Sequence, residues 1–295
     1  MPSERKFKQV DVFTHLAYKG NPLAVILDAD GLSDEQMQDI ARWTHLSETT
    51  FVFPPTDPAA DYQVRIFTPV SEFPFAGHPT LGTAHALLEA GLKPHVSGQL
   101  IQQCGIGLVS INIAADGQLA FRAPEACIDV IHEELYPLID ATLQHGLRDH
   151  RYAPASVRMG TCWITVRMET ATTCLNVRPD LASLESLLQQ CQSNGLALYG
   201  PHDNTMQDDY EVRVFTIENG QLVEDPVTGS ANACIARLLQ MEYYPDNMDT
   251  KLKLGYSVRQ GTILNHSGRV KVAYIDGHPW IGGYSQTLID GIIKI

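Results

Sequence analysis

Two short segments of the sequence place residues that could transfer a proton beside a predicted helix start. The segments are His78–Ala84 and Asp225–Ala231, which share the pattern x-Pro-x-x-Gly-[Ser/Thr]-Ala. Histidine has a pKa near 7 and is a poor helix cap, so proton transfer explains His78 better than capping does. Aspartate is a preferred helix cap, so the residue type alone leaves a catalytic and a structural interpretation open for Asp225.

A helix start also offers anion-binding chemistry that needs no basic side chain. Its free N–H groups and the helix dipole place about half a positive charge there, which favours a carboxylate ligand. Small residues in and beside the two segments would let a ligand approach these donors: Gly77, Gly82, Gly229 and Ser230. One such segment is typical of an ordinary helix start without a function, but two aligned copies favour a shared function. We therefore expect a small anionic metabolite as the ligand.

Both segments belong to an internal repeat that spans half the chain. Tyr62–Thr68 and Tyr210–Thr216 are identical at five of seven positions, at a spacing of 148 residues. Each alternates β-branched or aromatic residues with polar ones, which predicts a half-buried strand, and each leads through a loop into a helix. Pro79 and Pro226 are predicted at the first helical position, where a missing N–H costs nothing. If a pseudo-twofold axis relates the halves, the two helix starts face one cleft.

The other predicted elements position these segments within an α+β fold. Ser33–Gln36 has the sequence of a capping box, and Asp180 is predicted to cap a helix over Leu181–Leu188. Gly91 is predicted to end the helix that follows the first segment. Strands outnumber helices, so we expect two similar domains, each a curled mixed or antiparallel sheet around a central helix.

Composition and charge limit the classes of partner. The 295 residues include 21 Lys and Arg against 34 Asp and Glu, a net charge of −13 that repels nucleic acid and anionic lipid. No apolar stretch approaches the roughly 20 residues of a membrane helix, and no secretory signal pattern is present, so we expect a cytoplasmic protein. Neither cysteines nor histidines show metal-ligand spacing, so we expect no metal site.

Five motifs along the chain resemble those of the phenazine-biosynthesis isomerase-like family, which belongs to the diaminopimelate epimerase fold superfamily. They are Val10–Thr14, Gly20–Ala24, Ser47–Phe51, Gly77–Gly82 and Glu224–Ala231. The resemblance implies two pseudo-symmetric diaminopimelate-epimerase-like domains with the active site in the cleft between them. The corresponding boundaries are residues 1–120 with 283–295 for the first domain and residues 121–282 for the second. The resemblance also implies a homodimer.

The same resemblance implies a cofactor-independent isomerase that shifts a proton or double bond on a small carboxylate-bearing metabolite, as in phenazine biosynthesis. Its catalytic carboxylate would be Glu48, assisted by His78 and Asp225. The substrate-binding residues would be Gly77, Gly229 and Ser230, and Asn21 of the Gly-Asn-Pro loop is expected to line the cleft. A glutamate that acts as both base and acid near neutral pH needs a raised pKa, which burial would supply.

Two alternatives remain open at this stage. One is an epimerase or racemase in the same cleft, although the superfamily's amino-acid racemases use a cysteine at each helix start. Here Ala76, Pro226 and Val227 stand at those places, which disfavours a two-thiol mechanism. The other alternative is a ligand-binding or interaction protein that keeps the fold without turnover. A complete set of acid and base residues favours an enzyme, because a binder needs only anion donors.

Arg65 and Arg213 occupy equivalent positions of the repeat and are long enough to reach an anion. Arginines on an exposed strand face are more often solvated, so the sequence favours that interpretation. The anion site is accordingly predicted from helix-start N–H groups and not from these side chains.

Overall fold

The structure is a computed structural model that describes residues 4–203, 205–241 and 254–295. The chain forms two compact units, unit 1 (Met1–Arg122 with Gly282–Ile295) and unit 2 (Ala123–Ile281). In the described part of the chain, none of the helices has the length and apolar character that a membrane crossing requires.

Unit 1 is a mixed sheet with two helices. In chain order the elements are β1 (Glu4–Val12), β2 (Asn21–Ile26), α1 (Asp34–Thr44), β3 (Glu48–Phe53), β4 (Tyr62–Phe67), β5 (Glu72–Phe73), α2 (Gly77–Glu89), β6 (Gln99–Cys104), β7 (Gly107–Ile113) and β8 (Leu119–Arg122). Strands β2 and β3 run parallel, β3 and β4 run antiparallel, and β4 also pairs in parallel with β6. Helix α2 lies against β1, β2, β3 and β8, which makes it the central helix of this unit.

Unit 2 contains the elements that follow, and the last strand of the chain returns to unit 1. The elements are β9 (Cys127–Val130), α3 (Tyr136–Leu143), β10 (Ala155–Met159), β11 (Thr161–Arg167), α4 (Ala171–Asn176), α5 (Leu181–Cys191), β12 (Gly195–Pro201), β13 (Tyr210–Glu218), β14 (Gln221–Asp225), α6 (Gly229–Met241), β15 (Gly255–Gln260), β16 (Gly268–Ile275), β17 (His278–Gly283) and β18 (Ser285–Lys294). Strand β18 pairs antiparallel with β1.

The two units share one succession of strand pairings. The parallel pair β11–β12, the antiparallel pair β12–β13 and the parallel pair β13–β15 repeat the β2–β3, β3–β4 and β4–β6 pairings of unit 1. The predicted strands at Tyr62 and Tyr210 are confirmed as β4 and β13. The predicted α+β class is also confirmed.

Local hydrogen bonds explain where α1 and α5 begin. The Ser33 hydroxyl accepts from the Gln36 N–H at 3.2 Å, and the Gln36 side chain accepts from the Ser33 N–H at 3.0 Å. Asp180 accepts from the Ser183 N–H at 2.9 Å. Each bond satisfies an N–H group that has no partner inside the helix, so both predicted caps are confirmed.

Helix α2 begins earlier than the sequence pattern predicts. Its first residue is Gly77 and its N-cap is Ala76, so Pro79 is the third helical residue and not the first. The proline is tolerated there because the N–H groups of the whole first turn lack an intrahelical acceptor. The predicted end of this helix is confirmed, since Gly91 has a φ of +97° and donates its N–H to the Leu88 carbonyl at 3.1 Å.

Helix α6 begins later than predicted. Its first residue is Gly229, so Pro226 lies outside the helix, and Asp225 ends strand β14 instead of capping the helix. The Thr228 N–H bonds to the Gln260 side chain at 3.1 Å. The turn between strand and helix is therefore fixed by a residue of β15, which the local pattern around Pro226 could not reveal.

Candidate active site

Strand β3 and helix α2 bring Glu48 and His78 together in unit 1. Glu48 is the first residue of β3, and His78 is the second residue of α2. The Glu48 Oε2 atom lies 3.4 Å from the His78 Nε2 atom, and their side chains are only 13% and 5% exposed. A carboxylate and an imidazole held this close, with little solvent around them, can both reach the same reacting group of a substrate.

Asn21 contacts the second nitrogen of the same imidazole ring. It is the first residue of β2, which runs parallel to β3, and its Nδ2 atom lies 3.4 Å from His78 Nδ1. The Asn21 amide nitrogen can only donate, so Nδ1 accepts and we assign the imidazole proton to Nε2, the ring nitrogen that lies 3.4 Å from Glu48 Oε2. The structure thus places the predicted site residue Asn21 against His78.

Burial makes His78 a neutral side chain. It lowers the pKa of the imidazole from its usual value of 6.5 to about 3, since the charged form would lose its solvation. The sequence-based argument that His78 titrates near neutral pH is therefore wrong for this environment. His78 therefore stays neutral near pH 7 and is a poor proton acceptor in this environment.

The lowered pKa of His78 predicts a pH-dependent stability. The unfolded chain protonates this residue below its usual pKa of 6.5, whereas the folded chain does so only near pH 3, so stability falls as the pH drops between these values. Protonation of His78 in the unfolded chain should lower the free energy of unfolding by about 2 kcal/mol between about pH 7.5 and about pH 5. Urea unfolding at both pH values should show that His78→Gln loses about 2 kcal/mol less than the wild type. If the free energy of unfolding fell equally in the two proteins, the lowered pKa of His78 would be contradicted.

The start of α2 presents backbone donors close to this pair. No side chain caps the helix, so the first-turn N–H groups of Gly77 and His78 lack an intrahelical acceptor, and Pro79 has no N–H. The turn is held in place by Thr80, whose hydroxyl donates to the Ala76 carbonyl at 2.9 Å. These donors suit a carboxylate of a small ligand.

Unit 2 carries the remaining predicted site residues. Gly229 and Ser230 are the first two residues of α6 and are buried, and Asp225 lies at the end of the preceding strand. The indole N–H of Trp163 donates to the Ser230 hydroxyl at 3.1 Å. Because that oxygen already accepts a hydrogen bond, its own proton is available for an anion. That the starts of α2 and α6 face one cleft stays a prediction.

Three residues of this region were not predicted from the sequence: Trp163, Thr228 and Gln260. Thr228 lies inside the x-Pro-x-x-Gly pattern, which could have drawn attention to it. Trp163 and Gln260 reach the helix start from β11 and β15, so only the tertiary fold places them there.

The two repeat-equivalent arginines are engaged by other groups. Arg65 donates to Glu72 at 2.7 Å and to Asp34 at 2.6 Å. Arg213 is buried rather than solvated; it donates to Glu224 at 2.9 Å and to the Val177 carbonyl beyond the end of α4 at 2.8 Å. Both side chains therefore stabilise their own unit, which agrees with an anion site made by helix starts.

The fold and these residues match a family of isomerases. Residues 10–280 match the phenazine biosynthesis-like protein family, PhzC-PhzF, and the chain belongs to that family. It is 34% identical to antisense-enhancing sequence 1 of Schizosaccharomyces pombe, with 98% of each chain covered. It is 32% identical to the trans-2,3-dihydro-3-hydroxyanthranilate isomerase of Pseudomonas aeruginosa, with 78% of each chain covered.

A solved structure with the same fold is a predicted epimerase from Pseudomonas aeruginosa. Its TM-score is 0.79 at 26% identity, and the match covers 98% of this chain and 99% of the other. Together with the named isomerases among its relatives, this gives the protein a general isomerase or epimerase role.

Proposed function

We propose that this protein moves a proton between carbon atoms of a small carboxylate-bearing metabolite, with Glu48 as the base and then the acid. The observation that carries the proposal is the buried pair of Glu48 and His78, 3.4 Å apart at the start of α2. A neutral imidazole beside the carboxylate can donate a hydrogen bond to it without transferring its proton. Glu48 can therefore accept a proton and release it again.

The proposed reaction balances within one substrate. The Glu48 carboxylate takes a proton from a carbon, and the electron pair left behind enters a neighbouring conjugated system. Glu48, now a carboxylic acid, returns the proton to another carbon of that system, which restores the carboxylate. The N–H groups of Gly77 and Gly229 and the Ser230 hydroxyl would bind the substrate carboxylate, and Asp225 would contact a polar group of the substrate.

The first test is enzyme-dependent exchange of substrate hydrogen with solvent deuterium. A relative is named for trans-2,3-dihydro-3-hydroxyanthranilate, a cyclic carboxylate, which makes this compound the first probe. A thermal-shift screen of small cyclic and amino carboxylates extends the search, because a ligand at 100 times its Kd adds about 2.7 kcal/mol of stability. We expect a carboxylate that binds to acquire deuterium in an enzyme-dependent reaction that NMR can follow.

An epimerase in the same site would give a different product from the same test. It would return the proton to the carbon that lost it, on the opposite face. Deuterium would then appear at the starting carbon with inversion, and no double bond would move. Neither Ala76 nor Val227 offers a thiol for such a reaction, so the carboxylate mechanism is the one that we favour.

A second candidate function is ligand binding or protein interaction without turnover. The observation that favours it is the Schizosaccharomyces pombe relative, whose name refers to antisense enhancement and to no isomerisation. The thermal-shift screen and the deuterium exchange together separate the candidates. A binding protein would be stabilised by an added carboxylate but would exchange none of its hydrogen with solvent. Against this candidate stand Glu48 and His78, whose buried pairing is costly for a protein that needs only anion donors.

Metal independence is a further prediction of the proposed mechanism. Dialysis against a chelator should leave the exchange rate unchanged, because Glu48 and the helix-start N–H groups supply both the base and the anion site. The measurement compares exchange rates before and after chelation, with total metal determined by elemental analysis. A loss of exchange that added metal restores would contradict the mechanism.

A further inference from the structure

Asp225 is the end point of a hydrogen-bond network that connects β14, β15 and the start of α6. The Thr228 hydroxyl donates to the Asp225 Oδ2 atom. Gln260 Nε2 donates to the Thr228 hydroxyl at 3.0 Å and to the Asp225 carbonyl at 3.2 Å. The carboxylate is thus reached through two residues that the sequence pattern did not connect.

The direction of every bond in this network is fixed by its backbone contacts. The Gln260 Oε1 atom accepts from the Thr228 N–H at 3.1 Å and from the Asn232 amide at 3.0 Å. A backbone N–H can only donate, so Oε1 must face it and Nε2 must face the Thr228 hydroxyl. Since that hydroxyl accepts from Nε2, its single proton is left for Asp225.

The surroundings strengthen this arrangement. Gln260 and Asn232 are fully buried and Thr228 is 6% exposed, so water competes little with these bonds. A hydrogen bond donated to a carboxylate favours its charged form.

Three residues near Asp225 in the fold are relevant to the charge of its carboxylate. The residue opposite Asp225 on β13 is the apolar Val214. Glu224 adjoins Asp225 on β14, points to the other side of the sheet and binds Arg213 at 2.8 Å. The imidazole that follows β15 belongs to His266, in the turn beside Pro226.

We propose that Thr228 and Gln260 are positioning residues that hold Asp225 as an ionised hydrogen-bond acceptor. Asp225 then orients a donor group of the substrate, and proton transfer is left to Glu48. The assignment of this role to the reaction rests on the proposed function, whereas the state of the Asp225 carboxylate does not.

Unit 1 contains a matched network that lacks the carboxylate. Tyr62 donates to Gln102 Oε1 at 3.0 Å, Gln102 Nε2 donates to the Thr80 hydroxyl at 3.0 Å, and Thr80 donates to the Ala76 carbonyl at 2.9 Å. Glutamine and threonine follow in the same order as in unit 2, but the last acceptor is neutral. Thr80→Val is therefore the control for Thr228→Val, because it removes an equally buried hydroxyl without touching a carboxylate.

The test is an NMR titration of the Asp225 side chain in the full-length protein labelled with 13C at aspartate Cγ. The difference from Asp225→Asn assigns the resonance, and circular dichroism defines the pH range in which each variant is folded. We expect Thr228→Val to take up a proton on Asp225 about one to two pH units higher than the wild type, the equivalent of one hydrogen bond to a charged group. Thr228→Ser, which keeps the hydroxyl, should restore the wild-type titration.

A second variant covers the case in which Thr228→Val does not fold. Gln260→Glu keeps an acceptor for the Thr228 N–H but replaces the donor with a carboxylate that competes for the hydroxyl proton, so Asp225 should again protonate at higher pH. Thr80→Val should leave the Asp225 titration unchanged. The proposal is overturned if Thr228→Val and Gln260→Glu titrate like the wild type, or if Thr80→Val produces the same shift.

These outcomes are separable from those of the proposed function. The titration uses no substrate, so an unchanged Asp225 titration would remove the positioning role and leave the isomerase proposal standing. Conversely, failure of every carboxylate to exchange deuterium would remove the isomerase proposal and leave the titration result intact.

Discussion

Glu48→Gln is expected to lower kcat by about 100- to 10,000-fold while substrate affinity stays the same or rises. Glutamine keeps the size of the side chain and can still contact His78, but it cannot accept a proton from carbon. In our account the substrate carboxylate is bound by helix-start donors, so the variant keeps its binding groups. Removing a negative charge near a bound anion should if anything strengthen binding. The loss therefore belongs in kcat and not in affinity.

The matched control is Glu72→Gln, which makes the same chemical change at a glutamate of β5 that binds Arg65. It should leave turnover unchanged. Calorimetry measures affinity for both variants, and solvent deuterium exchange measures turnover. If Glu48→Gln turned over at nearly the wild-type rate, Glu48 would be structural and the base would be sought elsewhere.

His78→Leu should lower turnover by about 10- to 100-fold, the cost of one hydrogen bond to a charged group. His78→Gln should retain most activity, because its amide can donate from nearly the place of Nε2. The difference between the two variants follows from a neutral imidazole, since burial lowers the pKa of His78 to about 3. The function of His78 in this account is donation to Glu48 and not titration.

The relevant measurement is kcat/KM for both variants across the pH range in which they are folded. Equal inactivation of the two would contradict the donor role. The donor role would also be contradicted if kcat/KM of the wild type changed with pH near the usual histidine pKa and this change were absent from both variants. That result would show that His78 gains and loses a proton during turnover.

The sequence predicted the features that local patterns determine. The capping box at Ser33, the Asp180 cap and the glycine at the end of α2 were all found where the pattern placed them. The strands at Tyr62 and Tyr210 were also correct, because period-two alternation and the repeat point to the same elements. Each of these features depends on residues within a few positions of one another.

The features that the sequence did not predict depend on distant contacts. The start of α6 depends on Gln260, which lies 32 residues after Thr228. Gln260 belongs to none of the motifs described in the sequence, so no local pattern connected it with the helix start. The low pKa of His78 depends on its burial by residues distant in the sequence, whereas the residue type alone suggested titration near neutral pH.

The most direct test of the account is the isotopic composition of product formed in D2O by the wild type and by Glu48→Gln. If Glu48 carries the proton, the wild type should place solvent-derived deuterium at carbon in an enzyme-dependent reaction, and the variant should do so at no more than about one hundredth of that rate. Mass spectrometry and NMR of the product give the amount and the position of the label. Exchange by Glu48→Gln at a rate near that of the wild type would contradict the claim that Glu48 carries the proton.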